Sequence, residues 1–272
     1  MGKYKLIAFD MDGTLLDSKK EIRPESLEAI RVAAAAGKYV CLSTGRPRPE
    51  VEYCRSMLPK IHYVIGASGA FVRNFETGKM IFSGTIEPDT AAEVLRRVKG
   101  EDLMVQLFSE QSVSQRDKIP HMADYHMGQY QPMVEKITVP VEDIIEYYLA
   151  APYPLDKLNL YCRDTDRRLR LRGLLGDIPL EMVDSEETSL ELSAPGISKG
   201  RGLTELCAHL GITPEETIAV GDGNNDIEIM KTAGLAIAMG NAIDAVKACA
   251  DVVVSDCDHD GCARAIYDYL LQ

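Results

Sequence analysis

The sequence predicts an α/β protein, a doubly wound parallel-sheet core interrupted by an inserted α+β domain. Three observations carry this. Short apolar runs that end in polar residues alternate with helical stretches at both ends of the chain. That alternation lapses between about residues 84 and 187. The length of 272 residues suits one large domain or two modest ones.

The elements follow in order. Tyr4 to Asp10 is a continuous apolar run ending in a carboxylate, the pattern of a buried parallel strand. A helix is expected from Pro24, well placed in a first turn, to the stop at Gly37. Tyr39 to Ser43 reads as a second strand, about Pro49 to Leu58 as a helix and His62 to Gly66 as a third strand. This strand-helix rhythm predicts a Rossmann-like sheet. Phe71-Val72-Arg73 and Met80-Ile81-Phe82 flank Glu76-Thr77-Gly78 and predict an antiparallel hairpin.

From Gly84 to Glu187 the expected helices are Pro88 to Val98, Val141 to Leu149 and Asp166 to Leu175, with strands at Leu103 to Phe108 and Lys157 to Tyr161. After Leu190-Glu191-Leu192 the rhythm returns. It gives a helix from Lys199 to Leu210, a strand from Thr217 to Val220, a helix from Asn225 to Ala233, a strand from Leu235 to Ala238 and a closing helix to Leu271. The expected division is therefore a core of 1–83 and 188–272 around an insertion of 84–187, with hinges near Gly84 and Ser189.

Composition narrows the function. Hydrophobic residues make up 46% and charged residues 26%, as in ordinary globular chains, which excludes a disordered or fibrous protein. Asp and Glu number 42 against 30 Lys and Arg, and a net charge of −12 argues against nucleic-acid and anionic-membrane partners. No run approaches the roughly 20 apolar residues of a membrane helix, and the start through Lys3 and Lys5 is too short for a signal peptide. Seven scattered cysteines without a CxxC pair suggest free thiols and a cytoplasmic location. Cys257 to Cys262 lacks the second ligand pair of a zinc site.

The chemistry-bearing residues cluster at strand ends. Asp10 and Asp12 stand directly after the first strand, where open α/β sheets bind ligands, and alternate residues of an extended segment share a face. Taken alone, Asp10-Met11-Asp12-Gly13 also fits a solvated turn. Asp222 and Asp226 follow another apolar strand at a helix start, where they fit an N-cap as well. Both pairs together call for a hard divalent cation, and oxygen ligands without histidine favour magnesium over zinc. Ser43-Thr44-Gly45-Arg46 ends the second strand with a hydroxyl and backbone N–H groups suited to a phosphate oxygen, and Lys199 opens a helix at what would be the same rim.

Asp10-Met11-Asp12-Gly13-Thr14-Leu15, Ser43-Thr44-Gly45-Arg46, Lys199 and Gly221-Asp222-Gly223-Asn224-Asn225-Asp226 stand in the order of the four motifs of haloacid-dehalogenase-superfamily phosphatases, which the chain resembles. The inserted segment, Ala236 to Ala242 and the ending Asp260 to Leu270 resemble the Cof subfamily, type IIB, with its C2-type cap. The resemblance implies a magnesium-dependent phosphomonoester hydrolase acting on small phosphorylated metabolites, sugar phosphates foremost. Asp10 would be the nucleophile that forms an aspartyl phosphate, and Asp12 the general acid and then base. Thr44, Gly45, Lys199 and Asn225 would bind the phosphoryl group. Magnesium would be held by Asp10, the backbone carbonyl of Asp12 and Asp222, with Asp226 binding it directly or through water.

The resemblance also implies that the cap selects the substrate. Gln106, His121, Tyr125, His126, Met127 and Arg163 are candidate contacts, whereas Met122, Met127 and Met133 read equally as core filler. Ala67-Ser68-Gly69-Ala70 departs from the Asn-Gly-Ala common in Cof-type relatives, and Ser255 to Asp258 lacks an Asn often found there. Other readings are a phosphatase of pyridoxal phosphate or flavin mononucleotide, a phosphomutase, or a non-catalytic binding protein of the same fold. Absent Trp and 6% aromatic residues disfavour a stacking pocket. Residues 84–187 hold 12 basic against 20 acidic residues, so the insertion carries −8 of the net −12 and phosphate recognition falls to the core.

Overall fold

A computed structural model describes residues 2–58 and 60–272. The first part of the chain forms β1 (Leu6–Phe9), α1 (Pro24–Ala35), β2 (Tyr39–Ser43), α2 (Arg48–Tyr53), β3 (Tyr63–Gly66), β4 (Phe71–Asn74) and β5 (Met80–Ser83). The middle forms α3 (Pro88–Arg97), β6 (Leu103–Phe108), β7 (Ser112–Gln115), α4 (Gln131–Ile137), β8 (Thr138–Val141), α5 (Ile144–Ala150), β9 (Lys157–Cys162), α6 (Thr165–Leu174), β10 (Glu181–Glu186) and β11 (Ser189–Ser193). The last part forms α7 (Lys199–Leu210), β12 (Thr217–Gly221), α8 (Ile227–Thr232), β13 (Leu235–Ala238), α9 (Asp244–Cys249), β14 (Val252–Val253) and α10 (Gly261–Ala265).

Two units result. The first comprises 1–46, 54–83 and 198–272 and is built on an eight-stranded sheet in the order β14-β13-β12-β1-β2-β3-β4-β5. From β14 to β3 neighbouring strands are parallel, and the β4–β5 hairpin adds two antiparallel strands. Leu6, Ile7 and Phe9 are fully buried, each contributing roughly 2 kcal/mol over an exposed side chain. β1 lies between β12 and β2, so residues leaving these three strands meet at one edge. The Ser198 hydroxyl caps α7 by accepting from the Arg201 N–H at 3.1 Å, and left-handed Gly211 ends it. At Gly69, with φ of +104°, a Cβ would stand 2.0 Å from the Ser198 carbonyl oxygen, so glycine is required where this loop meets α7.

The second unit comprises 47–53 and 84–197. Its six-stranded sheet runs β10-β11-β9-β6-β7-β8, antiparallel except between β7 and β8. Side chains alternate across it. One face, including Leu103, Val105, Leu158, Leu160, Leu190 and Leu192, forms a core with α3, α5 and α6. The other face carries Gln106, Lys157, Asn159, Tyr161 and Glu191.

Several expected boundaries move. The unit extends past residue 187 because β11 pairs with β9 and β10 rather than with the core sheet. Ser189 therefore lies inside this sheet, not at a hinge, and the chain leaves the unit after Ile197. The helix expected from Val141 begins at Ile144, since Thr138–Val141 pairs with β7 and Asp143 caps the helix by accepting from Ile145 and Glu146 N–H groups. The expected 49–58 helix stops at Tyr53, and a 3-10 turn covers Arg55–Met57. The expected closing helix is broken into α9, β14, α10 and a π turn at Ile266–Leu270. All seven cysteines are free thiols, and no described helix is long and apolar enough to cross a membrane.

Asp102, just before β6, anchors the 119–125 turn to this unit. It accepts from Tyr125 Oη at 3.0 Å, Arg163 Nε at 2.8 Å and Arg167 Nη1 at 3.0 Å. Slight burial opposes its ionisation, but these hydrogen bonds outweigh it and lower its pKa to about 2. Because the folded value lies below the unfolded one, the stabilisation is full above about pH 4 and is lost as pH falls toward 2. Asp102→Asn should lower the chemical-denaturation midpoint at pH 6, with the gap to wild type closing between pH 4 and pH 2.

Candidate active site

Asp10 leaves β1 almost buried, Asp222 leaves β12, and Asp226 ends the 3-10 turn that leads into α8. One carboxylate oxygen from each lies within 4.8 Å of the others. Such a group would fly apart without a cation. Lys199, at the first position of α7, supplies one: its Nζ donates to Asp10 Oδ1 and Asp226 Oδ1, both at 2.6 Å, and its side chain is fully buried. Asp226 Oδ2 accepts from the backbone N–H groups of Asp222 and Gly223 at 3.0 Å each. Asp226 is thus used on both oxygens to fix Lys199 and the loop after β12.

The electrostatics follow. Burial pushes the Asp10 carboxyl up; Lys199 pulls it down and the neighbouring Asp226 and Asp222 push it up again, to about 7. Asp222 is raised as well, by burial first. Burial would lower the Lys199 ammonium, but Asp10 and Asp226 outweigh it and keep it charged. Three carboxylates against one ammonium leave surplus negative charge, and an all-oxygen donor set fits a hard divalent cation such as magnesium. Asp222 Oδ1 already accepts from the Thr14 hydroxyl at 2.6 Å, which aims its second oxygen past Gly13. There a Cβ would lie 2.4 Å from Asp222 Oδ2, and the φ of +82° likewise requires glycine.

Asp12 is held apart from the trio. Arg46 grips it with two bonds, Nε to Oδ2 at 2.8 Å and Nη2 to Oδ1 at 2.9 Å, and Lys20 Nζ adds a third at 2.9 Å. Burial pushes its carboxyl up, yet these partners prevail and hold it below the usual range. Thr44 is buried after β2 and its Oγ1 accepts from the Arg46 N–H at 3.1 Å, with Gly45 in the same turn. Ser68 N–H reaches the Thr44 carbonyl at 3.0 Å from a left-handed backbone with φ of 58°. Asn225 is exposed, in the same turn as Asp226.

Four residues here had no role in the sequence. Arg46 and Lys20 hold Asp12, Thr14 holds Asp222, and Asn241 ties the loop after β1 to the tail by donating to Gly13 O at 2.8 Å and accepting from Cys257 N at 3.0 Å. Arg46 and Thr14 lie inside the quoted motifs, and Asn241 inside the Ala236–Ala242 segment. Lys20 carried no signal. In the second unit, Tyr125 and Arg163 are bound to Asp102, His126 Nε2 lies 3.1 Å from the Arg163 carbonyl, and His121 is exposed. Met122 is buried in an apolar cluster with Tyr125 and Tyr161, Met127 packs on that cluster, and Met133 is buried as well. Gln106 is buried on the polar sheet face.

The first unit is a mainly parallel sheet with acidic residues at its strand ends and a lysine buried among them. A family model for haloacid dehalogenase-like hydrolases matches residues 7–266. A phosphatase from Bacillus subtilis, YcsE, named for 5-amino-6-(5-phospho-D-ribitylamino)uracil, is 31% identical over 277 residues, covering 98% of this chain and 96% of that one. The chloroplastic endoribonuclease YBEY of Arabidopsis thaliana is 31% identical over 281 residues, and this chain spans 47% of its length. A solved haloacid dehalogenase-like hydrolase from Bacteroides thetaiotaomicron superposes with a TM-score of 0.84 at 28% identity, covering 97% of this chain and 99% of that one. The chain belongs to the haloacid dehalogenase-like hydrolases and is a phosphatase.

Removing Lys199 would leave two buried carboxylates facing each other. Lys199→Met should cost about 3–5 kcal/mol of unfolding free energy in urea titrations at pH 7, far more than an exposed lysine substitution.

Proposed function

We propose that the protein is a magnesium-dependent hydrolase of small phosphomonoesters, sugar or polyol phosphates foremost, working through an aspartyl phosphate on Asp10. The observation that carries this reading is the buried Lys199 ammonium between Asp10 and Asp226. It orients the Asp10 carboxylate and leaves its second oxygen to attack phosphorus. Thr44, Gly45 and Asn225 are assigned to the phosphoryl oxygens. Asp10, Asp222 and the Asp12 carbonyl would hold magnesium, with Asp226 behind them. When bound, the ion would screen the charge between the nucleophile and the phosphoryl group.

Asp12 is assigned the proton transfers. Held by Arg46 and Lys20 it is ionised, the form that takes a proton from water as the aspartyl phosphate is hydrolysed. Donation to the leaving alkoxide needs the protonated form, so release from Arg46 goes with the first step. The inserted unit is assigned the choice of substrate. The compound named for YcsE carries its phosphate on a ribityl chain attached to a uracil ring, which supports a small hydroxyl-bearing phosphomonoester as substrate.

Phosphate release from a panel of phosphorylated metabolites tests the reading. Wild type should need magnesium, and Asp10→Asn should lose at least about a thousandfold in kcat. Magnesium should also raise the melting temperature of wild type, and Asp222→Asn should abolish that shift. Hydrolysis by purified Asp10→Asn at the wild-type rate would overturn the assignment.

A further inference from the structure

One buried hydroxyl in the core has no work in folding. Ser43 is 1% exposed, and its Oγ has no hydrogen-bond partner among the described residues. An unpaired buried hydroxyl costs stability, and alanine would end β2 at lower cost.

The fold sets this hydroxyl beside Asp10. β1 and β2 run parallel, with Ala8 opposite Cys41 and Phe9 opposite Leu42, so Asp10 and Ser43 are the next residues of the two strands. Alternation puts Ala8, Asp10, Cys41 and Ser43 on one face. α7 covers that face at two points about one turn apart. Lys199 Nζ bonds Asp10, and a Cβ on Gly202 would stand 2.4 Å from Cγ2 of Ile65, the residue paired with Ser43 on β3. Ser43 therefore lies between Asp10 and Ile65, beneath the first turn of α7. Adjacent strands are about 4.8 Å apart, so a change of rotamer brings the Ser43 hydroxyl within hydrogen-bonding reach of the Asp10 carboxylate. Among the described residues Asp10 Oδ1 accepts only from Lys199, whose ammonium is shared with Asp226, and a carboxylate oxygen has room for a second donor.

We propose that Ser43 is a positioning residue for the second half-reaction, its hydroxyl donating to Asp10 Oδ1 while the aspartyl phosphate is hydrolysed. The inference rests on the phosphatase reading above and adds a residue to it. In that step water attacks phosphorus and passes its proton to Asp12. The bond from phosphorus to the second Asp10 oxygen breaks, and its electron pair returns to the Asp10 carboxylate. Both oxygens share the returning charge, so a donor on Oδ1 stabilises the leaving carboxylate. The hydroxyl is unpaired in the free protein and engaged where the charge develops.

Rapid mixing with p-nitrophenyl phosphate and magnesium separates the two steps, since the burst of p-nitrophenol reports capture and the steady rate reports hydrolysis of the adduct. In Ser43→Ala the steady rate should fall about tenfold, the worth of one hydrogen bond. The burst should be no slower than in wild type, and acid-quenched protein should carry more phosphoryl adduct. The melting temperature should stay level or rise, because an unpaired group is removed. Ser43→Cys, of similar shape but a weak donor, should show the same split, and it decides the matter if Ser43→Ala fails to fold. Unchanged steady rates and adduct levels in folded variants would overturn the proposal, as would equal slowing of both steps, the mark of a general disturbance. Should wild type hydrolyse no ester, the phosphatase reading and this one fall together. Wild-type turnover matched by Ser43→Ala removes this one alone.

Discussion

One buried ammonium organises the core. Lys199 reaches Asp10 from the start of α7 and Asp226 from the loop after β12, so three separate pieces of chain are fixed by two hydrogen bonds. Out of water, two carboxylates this close would repel or take up a proton, and the lysine makes their ionised proximity tolerable. The surrounding backbone is arranged to deliver it. The Ser198 cap sets where α7 begins, and Gly69 lets the loop after β3 touch that first turn. Asp226 then passes the constraint to the Asp222 backbone, and Asp222 to Thr14 through its other end. A change at any of these points moves Asp10.

How much was legible in the sequence follows from what each signal depends on. β1, β2 and β12 are apolar runs closed by polar residues, so they and the aspartates at their ends could be read without a structure. β7 and β8 could not: Ser112-Val113-Ser114-Gln115 and Thr138-Val139-Pro140-Val141 are too short and polar to stand out, and only pairing makes them strands. Leu190-Glu191-Leu192 could not be assigned to either sheet, because alternation says which residues share a face and nothing about the neighbour. The motifs gave Asp10, Asp12, Lys199 and Asp222 in order. Contacts such as Arg46 on Asp12 or Asn241 on Gly13 join residues 34 and 228 positions apart and become visible only once the chain is folded.

Charge has a different meaning in each unit. The chain carries −12 overall, so a phosphorylated ligand meets an unfavourable field and must be held by local groups. In the core the groups proposed for this are Lys199 with Thr44 and Gly45, while Arg46 and Lys20 are spent on Asp12. In the second unit the basic residues are largely committed to ion pairs, as with Arg163 and Arg167 on Asp102 and Lys157 on Glu191. What that unit presents instead is neutral hydrogen-bonding capacity on one sheet face.

The central claim is that Asp10 carries the phosphoryl group between two half-reactions, with Asp12 needed to finish the second. The most direct measurement is to mix Asp12→Ala protein with a phosphorylated substrate and magnesium, quench in acid within seconds and map the phosphorylated peptide by tandem mass spectrometry. A single phosphoryl adduct is expected on the peptide from Met1 through the first turn, located at Asp10. Adduct formation at another residue, or hydrolysis that continues in Asp10→Asn with no adduct at any time, would contradict it.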